Sequence, residues 1–319
     1  MKQQRALALA LVLVFATMGL AQRQVAGQAA RQTWRRAAQH RAALQPDITI
    51  LDELGQRQPA ARCGTRSPGA LERELEAAQT RTWLRDNGMD HRAAKITVPV
   101  QVHVIYYKKG GQEIGMLTRD TIETQMDVLN GGFKKHGFKF VLDNIDYTKN
   151  KKWFKKCDKW NIEKKMKKAL VVDSSKNLNI YTCQPKGGIL GWAYFPEDAA
   201  GQWYDGIVAL HSSFPGGTAV PYDEGDTITH EAGHWAGLLH TFEPQPDGCV
   251  APGDEVKDTP AEKTPSYDCT VGRDTCPGKA GVDPIDNLMD YSPDACMDHF
   301  SKGQGRRAKD QVAMYRVDL

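Results

Sequence analysis

Apolar residues alternate with other residues from Ile96 through Val98, Val100, Val102 and Val104 to Tyr106. A period of two over that length predicts a long strand. Pro99 lies inside it and has no N–H to donate, so its side of the strand lies at an edge or ahead of where pairing begins. Between Thr118 and Phe133 the period changes. Ile122, Met126, Leu129 and Phe133 recur at helical spacing. Phe138, Phe140 and Leu142 restore the alternation, and Leu178 to Tyr181 and Ile207 to Leu210 are further short strands. Strands and helices interleave, which predicts one mixed α/β (α+β) core over residues 96–319.

Upstream the texture differs. Residues 22–95 are rich in Ala, Gln and Arg and poor in aromatic and β-branched residues. Ala70 to Trp83 reads as a helix, and the rest can bury little of a core, as expected of a pro-segment or flexible leader. Residues 1–21 read as a signal peptide: Lys2 and Arg5 precede the apolar run Ala6 to Leu20, and Ala21 closes a small-residue cleavage site. The run is too short for a permanent anchor, and no other run could span a bilayer, so a polytopic membrane protein is excluded.

Composition adds little against this picture. The 319 residues are 40% hydrophobic and 25% charged, with 42 Lys and Arg against 39 Asp and Glu, a globular balance that demands no polyanionic partner. Lys134 to Lys168 is dense in lysine, with Trp153, Phe154 and Trp160 interleaved. It reads as a solvated face whose aromatics tuck into the core; the alternative is a patch for polyanions. The seven cysteines, Cys63, Cys157, Cys183, Cys249, Cys269, Cys276 and Cys296, read as disulfides in a secreted chain, with one thiol left over.

The chemistry concentrates in His230-Glu231-Ala232-Gly233-His234-Trp235-Ala236-Gly237-Leu238-Leu239-His240. On a helix, His230 and His234 project from one face a turn apart and can share a metal ion. Glu231 borders the open side, placed to take a proton from water. A continued helix would carry His240 about 9 Å farther along the axis, so the chain must turn back, and Gly237 is the residue that permits it. Three neutral nitrogen ligands with a fourth position open describe catalytic rather than structural zinc. Asp226 is placed as the N-cap of this helix, with Ile228, Ala232, Trp235 and Leu239 as its buried face.

The pattern resembles that of the metzincin zinc endopeptidases, whose second hallmark is a Met-turn, matched here by Asn287-Leu288-Met289-Asp290-Tyr291. Within that clan the chain looks like a pappalysin of the cytophagalysin type, on the stretches Leu178 to Tyr181, Gly191 to Pro196, the zinc helix, Asn287 to Tyr291 and Asp298 to Phe300. The resemblance implies a mixed twisted sheet, a long zinc-binding helix and a Met-turn, behind a pro-segment. It implies Zn²⁺ on His230, His234 and His240, Glu231 as general base, Met289 beneath the metal and Tyr291 as oxyanion stabiliser. It implies that Gly191, Trp192, Ala193 and Tyr194 form the edge strand that receives a peptide.

It further implies that Cys249 pairs with Cys276 and Cys269 with Cys296, leaving Cys157 and Cys183 as the third pair. Zymogens of the family carry a cysteine resembling Cys63, so Cys63 is expected to fill the fourth zinc position until the pro-segment is cut away; the alternative is a stray or intermolecular thiol. Asp247, Asp254, Asp258, Thr259 and Glu262 crowd the loop after the zinc helix, where a calcium ion is the candidate ligand and a polar loop fixed by disulfides is the alternative. In some relatives an acid beside the last cysteine favours basic side chains after the cut; here Ala295 holds that place and Asp294 lies one residue earlier. The expectation is therefore a secreted, monomeric metalloendopeptidase acting on protein or peptide substrates, without nucleic acid or stable membrane insertion. The rival is a catalytically weak zincin-fold protein that binds polyanions through its lysines.

Overall fold

A computed structural model of the chain describes residues 34–319, so the predicted signal peptide at 1–21 lies outside the described residues. A helix at 34–43, α1, opens the described chain. It is followed by an antiparallel hairpin of β1 (Ile48–Leu51) and β2 (Arg57–Ala60), then by α2 (Ala70–Asn87). Helix α2 runs a turn past Trp83 and stops at Gly88, whose φ of +72° no helix continues through.

The sheet follows. Its strands are β3 (Ile96–Lys109), β4 (Gln112–Ile114), β5 (Phe138–Lys149), β6 (Leu178–Cys183), β7 (Gly191–Trp192) and β8 (Ile207–Leu210). Strand β3 is central, parallel to β5 on one side and β6 on the other, and β6 is parallel to β8. The far edge is β7, antiparallel to β8. Pairing of β3 with β6 starts at Val100, one residue after Pro99, which is how the sheet tolerates an imide there.

Alternation along the strands sorts the core into two layers. Val98, Val100, Val102, Val104, Ile180 and Ile207 pack under α3 (Arg119–Phe133) and α7 (Asp226–Trp235). Phe133 is the hinge of that layer, edge-on to Phe138 and Phe140 and tilted against Phe300. Ile105, Tyr107, Tyr181, Val208, Trp192 and Tyr194 face the other way, toward α4 (Lys151–Lys156) and α5 (Trp160–Leu170). Between them, α6 (Pro196–Ala199) and α8 (Lys302–Tyr315) close the ends. The polar positions of β3 are buried as well: His103 is held by Asp146 and by Asn179 at 3.0 Å. Of the lysine-segment aromatics, Phe154 is buried, Trp153 partly so, and Trp160 is 48% exposed.

Three expectations need correction. The N-terminal segment does bury a core, but against the rest of the chain rather than within itself. Trp34 and Ala37 join the layer of Trp192 and Tyr194, and Ile48, Ile50 and Ala60 pack on Leu190, Leu210 and Tyr222. Its poverty in apolar residues is made up by what it docks on. Asp226 is the first helical residue of α7, not its cap; the cap position is Gly225 at φ +102°, where Gln125 donates to its carbonyl at 2.9 Å. Leu239 lies beyond the helix end, and α7 is buried on every side from Thr227 to Trp235, so its burial has no single face. Among the described residues no helix is long and apolar enough to cross a membrane.

Candidate metal centre

Helix α7 ends in a left-handed reversal. Gly237 has φ +90°, its N–H donates to His234 O at 2.9 Å, and Leu238 N–H reaches back to Gly233 O at 2.9 Å. This pair of bonds satisfies the last carbonyls of the helix while turning the chain, and His240 comes back over His234. His234 Nε2 and His240 Nε2 end 3.0 Å apart.

Each ring is aimed from behind. His230 Nδ1 bonds Leu288 O and His234 Nδ1 bonds Leu238 O, both at 2.8 Å, while His240 Nδ1 lies 3.5 Å from Glu243 Oε1. Those partners put the protons on Nδ1 and turn the Nε2 lone pairs inward. Burial pushes His230 and His234 well below the ordinary imidazole range, and their neighbouring rings add to it, so both stay neutral. The outcome is a donor set without a partner. His230 Nε2 is buried with no hydrogen bond, and the ligand atoms of Cys63, His230, His234 and His240 lie within 4.8 Å of one another. Nitrogen lone pairs crowded in that way fit a tetrahedral divalent cation such as zinc.

The floor is built from the Met-turn. Leu288 N–H pairs with His299 O at 2.9 Å, Met289 N–H bonds Asn287 Oδ1 at 3.0 Å, and Asn287 is tied to Gln304 of α8 at 2.8 Å. Met289 is fully buried, and a side chain at Gly233 would run into its sulfur. Two residues on, Tyr291 points its hydroxyl at His240 Nε2, 3.2 Å away. Glu231 is buried, with one oxygen unpartnered, and burial lifts its carboxyl to about 7. A side chain at Gly191 would sit 2.9 Å from Glu231 Cγ, so a glycine is needed where the edge strand passes the acid.

The N-terminal segment runs through this centre. Leu190 N–H donates to Ala61 O at 2.9 Å and Gly64 N–H to Gly191 O at 2.7 Å, so residues 61–64 lie along the edge and rise in the same direction as 190–191. Cys63 Sγ is 3.7 Å from His234 Nε2. Thr65 Oγ1 donates to Glu231 Oε2 at 2.7 Å and accepts from Ala193 N–H at 2.9 Å. Arg62 is buried with its guanidinium 5.0 Å over the Tyr222 ring and 4.0 Å from Asp294. The backbones of Gly191 and Ala193 thus serve the cleft, whereas the side chains of Trp192 and Tyr194 turn to the opposite face and meet Glu163 at 3.0 and 2.9 Å.

Elsewhere the structure joins Cys157 to Cys183, Cys249 to Cys276 and Cys269 to Cys296, and leaves Cys63 free. The loop acids divide. Asp258 caps α8 through Ser301 and Gly303, both at 2.8 Å, and Asp247 accepts from Cys249 N–H at 3.1 Å. Glu262 is bonded by Thr241 and Arg273. Asp254 and Thr259 bury their side-chain oxygens against each other, and Asp254 Oδ1 accepts from Val256 N–H at 3.0 Å.

Several neighbours of the centre carry no motif and are visible only in three dimensions. Phe242 stacks on His240 with ring centroids 4.8 Å apart, Phe195 stands edge-on to His234, and Glu243 receives both His240 and the hydroxyl of Ser67. Glu243, three residues past the last histidine, has a spacing that hints at this role; Ser67 and Thr65 have none.

Residues 161–313 match the peptidase family described as Pregnancy-associated plasma protein-A. An extracellular metalloprotease of Colletotrichum graminicola is 40% identical over 263 residues, 80% of this chain and 91% of that protein. The fold matches a mutant of promirolysin from Tannerella forsythia with a TM-score of 0.64 at 24% identity, over 81% of this chain and 96% of that one. Mature mirolysin of the same organism, in complex with a cleaved peptide, matches with a TM-score of 0.58 at 25% identity, over 71% and 98%.

Gly237→Ala tests the reversal. The new Cβ would sit 2.5 Å from Gln311 Cγ in a backbone conformation that alanine resists. Metal affinity of the dialysed protein should fall by roughly 10–100-fold, measured as bound zinc per chain by plasma mass spectrometry. Full retention of zinc would show that the glycine is not what returns His240.

Proposed function

The chain belongs to the pappalysins, the peptidase family of pregnancy-associated plasma protein-A, and is an extracellular zinc metalloendopeptidase; from that premise we propose the residues that do the work and the means by which the chain is kept silent. His230, His234 and His240 hold the zinc, and the unpartnered Nε2 of His230 among neutral, pre-aimed rings is the observation that carries this reading. A bound Zn²⁺ supplies Lewis acidity toward the scissile carbonyl and a more acidic water.

The chain's own residues perform the rest. The backbones of Gly191 and Ala193, which bond residues 64 and 65 in this structure, lie ready to pair with an extended substrate. Glu231 Oε2, freed of Thr65, takes a proton from the attacking water and passes it to the leaving amine. The Tyr291 hydroxyl, kept protonated because burial raises it far above its ordinary value, donates to the oxyanion. Met289 supports the rings from below without donating to them.

Residues 22–95 act as an inhibitory pro-segment, with Cys63 as the occupant of the fourth zinc position. Its thiol is 3.7 Å from His234, it is the one cysteine left free, and the segment around it blocks both Glu231 and the strand edge. Burial and the Glu231 carboxylate push the thiol well above its ordinary value, so a thiolate there depends on a neighbouring positive charge. A second cation, calcium, binds at Asp254 and Thr259, two buried side chains that lie against each other in the loop after the zinc helix; burial raises the Asp254 carboxyl to about 7.

Three measurements test these assignments. Glu231→Gln, in processed enzyme, should retain zinc and lose casein cleavage by several orders of magnitude; retained cleavage would refute the general base. Cys63→Ser in the intact chain should raise its casein cleavage on the order of tenfold or more over the parent, with no processing seen by mass spectrometry. A variant as latent as its parent removes the thiol from the mechanism. Calcium at about 100 times its Kd should stabilise the intact chain by roughly 2.7 kcal/mol, seen as a rise in Tm that Asp254→Ala abolishes. An equal rise in both would place the ion elsewhere.

A further inference from the structure

Glu163 sits on α5, on the face of the sheet away from the metal, and its side chain is fully buried. Its two oxygens have different company. Oε1 is served by the sheet and by α5: Trp192 Nε1 at 3.0 Å, the Tyr194 hydroxyl at 2.9 Å and Lys167 Nζ at 3.3 Å. Among the described residues, Oε2 is served only from the N-terminal segment, by Arg41 Nη2 at 2.5 Å and Trp34 Nε1 at 3.4 Å. The Arg41 side chain is 1% exposed, with its guanidinium carbon 4.5 Å over the Trp192 ring and 5.7 Å over Tyr194, whose hydroxyl it also reaches at 3.2 Å. A carboxylate oxygen at the end of a slot with aromatic walls is a receptor for a planar cation.

We propose that in the processed enzyme this slot is an exosite for an arginine side chain of a bound polypeptide. The inference rests on the latency reading above, because the slot opens only when residues 34–43 leave. Their departure strips Oε2 of both donors while Oε1 keeps its three, which leaves one carboxylate oxygen facing the opened slot. Lys167 stays on the Oε1 side, at 3.3 Å, with its Nζ also donating to Tyr204 O at 2.7 Å. A guanidinium restores what was lost; an ammonium, lacking the planar fork, stacks less well between the rings.

The slot is also wired to the cleft. Trp192 and Tyr194 form its walls, and the alternate residues of the same strand, Gly191 and Ala193, present the backbone to the metal side. An arginine bound behind the strand therefore steadies the edge that receives substrate. In the intact chain the two sites are filled by residues twenty or more positions apart, Arg41 and residues 61–65, so the arginine that binds here belongs to a part of the polypeptide remote from the scissile bond.

The test uses the full chain, processed by limited proteolysis and separated from its N-terminal segment, with loss of the segment checked by mass spectrometry. The probe is a fluorescein-labelled peptide of residues 34–48 of this chain, compared with the same peptide carrying citrulline in place of Arg41, by fluorescence polarisation. The arginine peptide should bind, and citrulline should weaken it on the order of tenfold or more. Glu163→Gln in the enzyme should erase the difference between the two; if that variant does not fold, the peptide pair on the unaltered enzyme decides. Equal binding of both peptides, or no binding at millimolar peptide, overturns the exosite and leaves latency standing. Failure of latency is read separately: an intact chain that cleaves casein as fast as processed enzyme keeps Arg41 in its slot during turnover, and overturns both.

Discussion

Buried imidazole nitrogens crowded onto one point are the constraint around which the rest of the molecule is arranged. In water each Nε2 would have a donor; in the interior, His230 Nε2 has none and His234 faces His240 at 3.0 Å. Such crowding is unfavourable for the bare protein and is kept because the surroundings leave no alternative. Helix α7 is packed on all sides, the reversal at Gly237 is closed by two backbone bonds, and the Nδ1 atoms of His230 and His234 are tied to main-chain carbonyls. The free energy withheld from folding is returned when a cation arrives, which couples metal affinity to stability.

The edge strand shows how one element can serve two chemistries. Because successive side chains of a strand point to opposite faces, glycine and alanine at 191 and 193 leave the metal side open, while tryptophan and tyrosine at 192 and 194 fill the other side. The small residues are required by distance: a side chain at Gly191 would strike Glu231. The large ones anchor the strand to Glu163, where among the described residues β7 has only β8 as a sheet neighbour. Rigidity on one face thereby supplies a preorganised backbone on the other.

Much of this was legible in the sequence because it depends on local spacing. The two-residue period of β3, the helical spacing of α3 and the histidine–glycine pattern of α7 are each set by a few consecutive residues. What was not legible depends on partners far away in the chain. The expectation that residues 22–95 bury little followed from their own composition, and composition cannot report that Trp34 and Ile50 pack on residues more than a hundred positions later. Asp226 looked like a helix cap because it is acidic and sits at the right place. The chain instead used Gly225, and the amides of Glu224 and Asp226 are taken by Asp294, a residue distant in sequence. Thr65 was missed for the same reason, since it meets Glu231 and Ala193 more than a hundred residues later. Asp258 was read as a metal ligand because a carboxylate in a loop looks the same whether it will meet a cation or the amide of Gly303.

The weakness of the Cys63 contact in isolation is no objection to its role. At the cleft itself, a single sulfur near a histidine, two backbone bonds and one threonine hydroxyl would not by themselves hold a short free peptide against substrate. Within one chain they do not need to, because the tether presents the segment to the cleft at an effective concentration in the millimolar range. The docked hairpin and the Arg41 anchor shorten the tether further. On the proposed latency, cutting the connection between α2 and β3 would leave the individual contacts in place and remove that concentration, so interactions sufficient for silence in the intact chain would be too weak for it afterwards. A segment built from many polar contacts and a small docked core suits this better than a deeply interlocked one, which would remain bound after cleavage.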